Sequence, residues 1–333
     1  MRWMRPLLVL ALLLLLGLVA YWHWPRDATV LEAMALEEAE EHSPGLRLSW
    51  WGVSAVLISD GQSSLFIDPF FSRPEGLGPL LRNTSISPDP AKVQSGLAAA
   101  GVDRLDAVLV SHSHYDHAMD AGLVANLTGA TLMGSASTLN IGRGAGVAPR
   151  ALQEAEPGQA VVFGDFRVTF LRSRHAGATG GRPLGEISEP LRPPAPYMEY
   201  RQGGTWSILI EHPQGRLLHH GSAGFEPNAL QGRQADVVLL GVALIDDLPS
   251  YLQQTVDAVG AQMLIPVHWD NFLRPLTPPL QAMPLVVDLP AFVQQVRSLR
   301  PGLRLGSLTL GRWHRWPQLN SDPTSLLTEE PLP

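Results

Sequence analysis

The run His112-Ser-His114-Tyr-Asp116-His117 constrains this chain more than any other feature. It follows an apolar stretch from Asp106 to Ser111, with Ala-Val-Leu-Val at its centre, that reads as a buried strand. At a strand end the period-2 geometry turns His112 and His114 to one side, and Asp116 and His117 follow at the turn into a helix. Three imidazoles and a carboxylate in one short bend make a ligand set for Zn²⁺ or another first-row divalent cation. The chain of 333 residues has 11 histidines and no cysteine, so a metal must sit on His, Asp, Glu or hydroxyl groups. Disulfides and cysteine nucleophiles are excluded on the same ground.

Around this run the sequence alternates short apolar stretches with turns. Leu46 to Trp50, Val53 to Ser59 and Ser64 to Ile67 read as strands of a meander. Phe70 to Pro90 is a Gly, Pro and Ser-rich loop before a helix from about Ala91 to Ala100. Further strands are expected near Ala130 to Met133, Ala160 to Phe163, Phe166 to Leu171, Trp206 to Ile210, Arg216 to His219, Asp236 to Leu240 and Met263 to Pro266. Helices fit Leu248 to Gly260 and Ala291 to Leu299. Two such halves imply a layered α/β domain over 46–312. Ala176 to Gly204 is a long interruption of the kind that serves as a lid or binding loop. Its Tyr197 and Tyr200, with Trp206 after it, either wall an apolar pocket or pack the loop onto the domain. The polar tail 313–333 is expected to be loosely ordered.

The N-terminus reads as a signal anchor. Arg2 and Arg5 precede an apolar run from Pro6 to Ala20, closed by Tyr21, Trp22 and Trp24. A cleaved signal peptide is the competing reading, but cutting after Ala20 puts Leu18 at the position that wants a small residue. Residues 1–26 are thus expected to form a transmembrane helix and 27–45 a juxtamembrane helix and linker. The arginine bias places the domain on the periplasmic or extracytoplasmic side. The formal charge of -7 offers no basic footprint, so nucleic acid is not an expected partner. The oligomeric state is not encoded in any feature of the sequence.

The run Ser111-His-Ser-His-Tyr-Asp-His-Ala-Met-Asp120 resembles the metallo-β-lactamase fold superfamily. Within it the chain is similar to the branch holding N-acylphosphatidylethanolamine phospholipase D-like and ascorbate-phosphate lactonase-like metal-dependent hydrolases. Ser49-Trp50-Trp51-Gly52, Ile67-Asp68-Pro69-Phe70 and Ile265-Pro-Val-His268-Trp-Asp-Asn-Phe272 match that branch in order. The resemblance covers roughly Leu46 to Gly311 and implies a four-layer αββα sandwich. It implies one metal on His112, His114 and His175 and a second on Asp116, His117 and His268. Asp68 would orient a ligating imidazole from behind, or else be a turn residue before proline.

One departure stands out. Where the family usually carries a metal-bridging Asp, this chain reads His220-Gly-Ser222-Ala-Gly-Phe225. A hydroxyl at Ser222 is a poor bridging ligand, so one ion is expected to be firm and the second weaker, with His220 as a compensating ligand if its face of the strand allows. The chemistry implied is hydrolysis by metal-bound hydroxide, with Asp116 orienting the nucleophile and taking its proton. A phosphodiester or lactone in a small-molecule or lipid-like substrate is the favoured ester-type bond. The alternative is a non-catalytic metal- or ligand-binding module of the same fold.

Overall fold

The computed structural model describes residues 28–41, 43–177 and 182–319, together with 12, 13, 16, 17 and 19. In chain order the first half contains β1 (Arg47–Trp50), β2 (Val56–Ser59), β3 (Ser64–Ile67), β4 (Ser85–Ile86), β5 (Ala107–Leu109), β6 (Thr131–Gly134) and β7 (Leu152–Glu154). The second half contains β8 (Ala160–Phe163), β9 (Phe166–Arg172), β10 (Ala195–Pro196), β11 (Trp206–His212), β12 (Gly215–His220), β13 (Val237–Gly241), β14 (Met263–Val267), β15 (Arg304–Leu305) and β16 (Trp313–Arg315). Two seven-stranded sheets result, ordered β16-β1-β2-β3-β5-β6-β7 and β15-β14-β13-β12-β11-β9-β8. Hairpin neighbours such as β2 and β3 pair antiparallel, and helical crossovers such as those from β3 to β5 and β13 to β14 join parallel strands.

Alternation along the strands sorts side chains between two apolar clusters. Leu65 and Ile67 of β3 and Ala107 and Leu109 of β5 face the second sheet, where they meet Phe170, Ile208 and Leu218. Phe66 and Val108 point the other way, onto Val93, Leu97 and Val124 of the helices Pro90–Ala99 and Ala121–Thr128. The second sheet is covered in turn by Leu252 and Val256, and by Phe292 and Val296 of the helix Leu289–Leu299. Both faces of the central strands are therefore dry, which is why they read as continuous apolar runs.

Several expectations are corrected. No helix among the described residues is long and apolar enough to cross a membrane. A span needs about 20 apolar residues, whereas the longest described helix, Leu289–Leu299, has 11 and buries only one side. The transmembrane helix placed over 1–26, and the extracytoplasmic placement that depended on it, are not carried forward; the fold is a mixed α/β sandwich. Most of residues 1–27 lie outside the described set. The juxtamembrane helix expected within 27–45 is confined to Thr29–Glu32. Leu31 and Met34 are drawn into the core, and the chain then runs extended, bridging Ala35 to Ser307 and Glu38 to His314. The tail expected from Trp313 instead starts as β16, registered on β1 through Leu48 and His314, because Trp313 and Trp316 are buried. The helix begun at Leu248–Leu252 continues as a π-helix over Gln253–Asp257.

The sandwich makes a differential expectation. Phe170 is fully buried between the sheets, whereas Val162 on β8 is 66% exposed. Phe170→Ala should cost about 3–5 kcal/mol in urea unfolding through lost burial and a cavity, and Val162→Ala should stay within about 0.5 kcal/mol of the parent. Equal losses at both positions would contradict the inter-sheet core.

Candidate metal centre

The histidine run lies where β5 ends and a helix begins. His114 has extended backbone and caps the short helix Tyr115–Ala118, so Asp116 and His117 fall in its first turn. Two groups of donors meet at this end of the sandwich. One ligand atom each from His112, His114 and His175 lie within 4.8 Å of one another, and the same holds for Asp116, His117 and His268. The groups adjoin, since the His112 and His117 rings are 3.9 Å apart between centroids. Asp116 Oδ2 stands 3.5 Å from His117 Nε2 and 3.4 Å from His268 Nε2.

Charge is arranged for cation binding. His112 is fully buried and its pKa lies well below the usual histidine value, first through burial and then through the neighbouring imidazoles. His175 is pushed down to about 3 by burial, with His114 adding to it. Burial works against the ionised Asp116, but His117, His268 and His114 outweigh it and hold the carboxyl well below the usual range. His112 and His175 are thus offered as neutral imidazoles beside an ionised carboxylate at neutral pH. His112 Nε2 and His117 Nε2 are buried without a hydrogen-bond partner. An unmet buried nitrogen costs about 1–3 kcal/mol, and a divalent cation would satisfy such nitrogens, so the residues present fit a metal.

Asp68 sits behind the cluster and is completely buried. Its Oδ1 accepts from Ser111 N at 2.7 Å, and its Oδ2 from Ser111 Oγ at 2.5 Å and His117 Nδ1 at 2.8 Å. Binding the Nδ1 proton there leaves Nε2 of His117 as the lone-pair nitrogen. His117 accordingly has a raised pKa, burial being overcome by Asp116 and Asp68.

His268 is set by a second buried device. Its amide donates to Val53 O at 2.7 Å, and Val53 N donates to Asp270 Oδ1 at 2.7 Å. Asp270 Oδ2 pairs with Arg73 at 2.7 Å, both side chains almost wholly buried. Val53 and His268 have φ of +46° and +57°, a left-handed conformation that side chains adopt only under constraint. Gly52, at φ +84°, is required there because a Cβ would stand 2.0 Å from the Arg73 guanidinium. Nothing in the sequence marks Arg73; Asp270 lies inside the quoted His268 motif without any sign of its partner.

The remaining site residues fall differently. His220 is not brought to the donors: Nδ1 bonds Ser207 Oγ and Nε2 bonds Gly224 O, each at 2.7 Å. Its strand face turns it into the second layer, so compensation for Ser222 from this ring is ruled out. Ser222 Oγ accepts from Ala176 N at 3.0 Å and so anchors the chain just after His175. Tyr200 and Trp206 are buried, Trp206 against Phe170. Tyr197 alone of the three stays half-buried, its ring 4.8 Å from Tyr115, and its phenol is pushed up by burial and by Asp116. The loop that carries Tyr197 reaches back over the histidines, its Pro183 O lying 3.3 Å from His114 Nε2.

A family model described as "Beta-lactamase superfamily domain" matches residues 64–269. The UPF0173 metal-dependent hydrolase of Myxococcus xanthus is 29% identical over 236 residues, 68% of this chain and 71% of the relative. That of Pyrobaculum arsenaticum is 23% identical over 231 residues, 68% and 85%. Among solved structures, a possible metal-dependent hydrolase from Veillonella parvula aligns with TM-score 0.52 at 12% identity, covering 82% of this chain and 100% of its own. An isothiocyanate hydrolase from Delia radicum gut bacteria gives 0.52 at 13%, covering 82% and 100%. CmlA, a diiron β-hydroxylase from Streptomyces venezuelae, gives 0.51 at 16%, covering 82% and 55%. At such identities the structural likenesses speak for the fold alone.

Two outcomes follow from the buried carboxylates. Asp68→Asn replaces one acceptor with a donor, and should weaken metal binding at the Asp116, His117 and His268 group by about 10–100-fold in calorimetric titration of chelator-stripped protein; unchanged affinity would remove Asp68 from that role. Asp120, whose Oδ2 accepts from Phe71 N and Ser72 N, has its pKa raised to about 6, chiefly by burial. The folded chain therefore keeps a proton that the unfolded chain gives up near pH 4. Its contribution to stability is full below about pH 4 and declines by on the order of 3 kcal/mol up to about pH 6. Subtracting the pH profile of Asp120→Asn from that of the parent should reveal this decline, and a flat difference would refute it.

Proposed function

Because this chain belongs to the β-lactamase superfamily and is a metal-dependent hydrolase of it, we propose that its site cleaves an ester-type bond, with a phosphodiester or lactone as substrate class. The observation that carries this is the pair of adjoining donor groups, in which His112 Nε2 and His117 Nε2 are buried without a hydrogen-bond partner. His112, His114 and His175 would hold one ion, and Asp116, His117 and His268 the other. Five imidazoles and one carboxylate suit zinc among first-row ions. A bound divalent cation supplies Lewis acidity and lowers the pKa of water from 15.7 to about 7.

The chain's own residues do the rest. Asp116 remains ionised among the histidines and accepts a hydrogen bond from the attacking water, then its proton. Tyr197 remains protonated beside it and donates to an oxygen of the substrate, a contact that a carbonyl or phosphoryl oxygen provides equally well. Asp68 and the Arg73–Asp270 pair hold His117 and His268 in place without touching the reacting atoms. Ser222 contributes no charge, so the second ion would be held more weakly than the first. Similarity of the Ser49 to Gly52 and His268 motifs to phospholipase D-like and lactonase-like proteins supports the ester class.

A panel of phosphodiester, lactone and carboxyl-ester substrates assayed with metal-loaded protein tests the reading. Phosphodiester or lactone turnover is expected to fall by about 10³-fold in His114→Ala and by about 10-fold in Tyr197→Phe, both folded by circular dichroism. Turnover that survives His114→Ala, or none on either favoured class, would overturn it.

A further inference from the structure

Three turns converge at the pole of the sandwich opposite the histidine run. Asp60 lies between β2 and β3, Asp165 between β8 and β9, and His212 ends β11; one ligand atom from each falls within 4.8 Å of the others. Carboxylates often cluster at surfaces without purpose, and His212 is what sets this group apart. Its side chain is 4% exposed and that of Asp60 9%. Yet its buried Nε2 has no hydrogen-bond partner and stops 3.5 Å from Asp60 Oδ2.

Both side chains are fixed in that posture. The His212 ring packs on Phe166, centroids 4.9 Å apart. Asp60 Oδ1 accepts from the amides of Gln62 and Ser63, each at 2.7 Å, which leaves Oδ2 directed at the imidazole. Arg47, whose charge Asp60 feels, donates to Ser43 O and lies over Trp313, and makes no hydrogen bond to Asp60.

We propose that a divalent first-row cation binds between Asp60, Asp165 and His212 and ties the two sheets together at their base. Two carboxylates and a neutral imidazole carry the charge that neutralises such an ion, and one nitrogen with two oxygens is a donor set for Zn²⁺ or Mn²⁺. The exposed Asp165 gives the ion its entry side. Ligation through Nε2 requires the ring proton on Nδ1, which at present accepts from Gln214 N at 3.2 Å. The proton moves within the ring, none is released, and the exposed Gln214 amide turns to water.

Full-length protein stripped by chelator and titrated with Zn²⁺ tests this by bound metal per chain and by melting temperature. The parent should bind one equivalent more than His212→Ala, and His114→Ala should keep that equivalent together with the rise in melting temperature it brings. Asp165→Asn alters an exposed side chain and should lose the same equivalent in a chain that folds as the parent does. If His212→Ala does not fold, Asp165→Asn decides alone. Retention of every equivalent at unchanged affinity in Asp165→Asn, or in a folded His212→Ala, would overturn the site.

Discussion

The buried carboxylate of Asp68 is the interaction on which the catalytic end of the molecule depends. It lies just past β3 with φ of +47°, and its oxygens take hydrogen bonds from the backbone and side chain of Ser111 just past β5 and from His117 on the following helix. One side chain therefore closes the ends of two parallel strands and fixes the tautomer of a ligating ring. Removing a partner from such a group leaves a charge in a dry site, which costs far more than the bonds are worth in water. The register of β3 with β5, the bend at Ser111 and the direction of the His117 ring thus stand or fall together.

The His268 side is built on the same logic with different parts. An ion pair as deeply buried as Arg73 and Asp270 gains little net stability, because desolvation offsets the attraction. Its effect is positional. Asp270 receives Val53 N and Val53 O receives His268 N, so two residues in strained backbone brace each other across the sandwich. A strained ligand position tolerated only because its surroundings dictate it is the expected signature of a pre-organised site.

Much of this was legible in the sequence, and what was not has physical reasons. The strand runs and the His112 to His117 bend follow from periodicity and local chemistry, which act over a few residues. His175 and His268 could be placed only by order and resemblance, because ligands brought together by topology leave no local spacing. Arg73 was invisible for that reason: an arginine in a Pro and Gly-rich loop looks solvated until the partner 197 residues away is known. His220 was misleading since alternation along β12 decides its face, and the last residues of a strand can turn either way. Tyr200 and Trp206 were ambiguous because an aromatic beside a long loop serves packing and binding equally well in sequence.

Ser222 brings the electrostatics of the two donor groups into relation. With a hydroxyl at that turn, Asp116 is the only carboxylate among the six side chains grouped at the centre, and Ser222 Oγ is itself committed to the backbone after His175. Two divalent cations there would be met by one ligating carboxylate, with Asp68 one ring further back, leaving an excess that favours an anionic ligand or a developing oxyanion over a neutral ground state. A site so charged gains most from substrates whose negative charge grows or resides at the scissile group. Within the proposed ester class, this supports a phosphodiester, whose negative charge resides at the scissile group in the ground state.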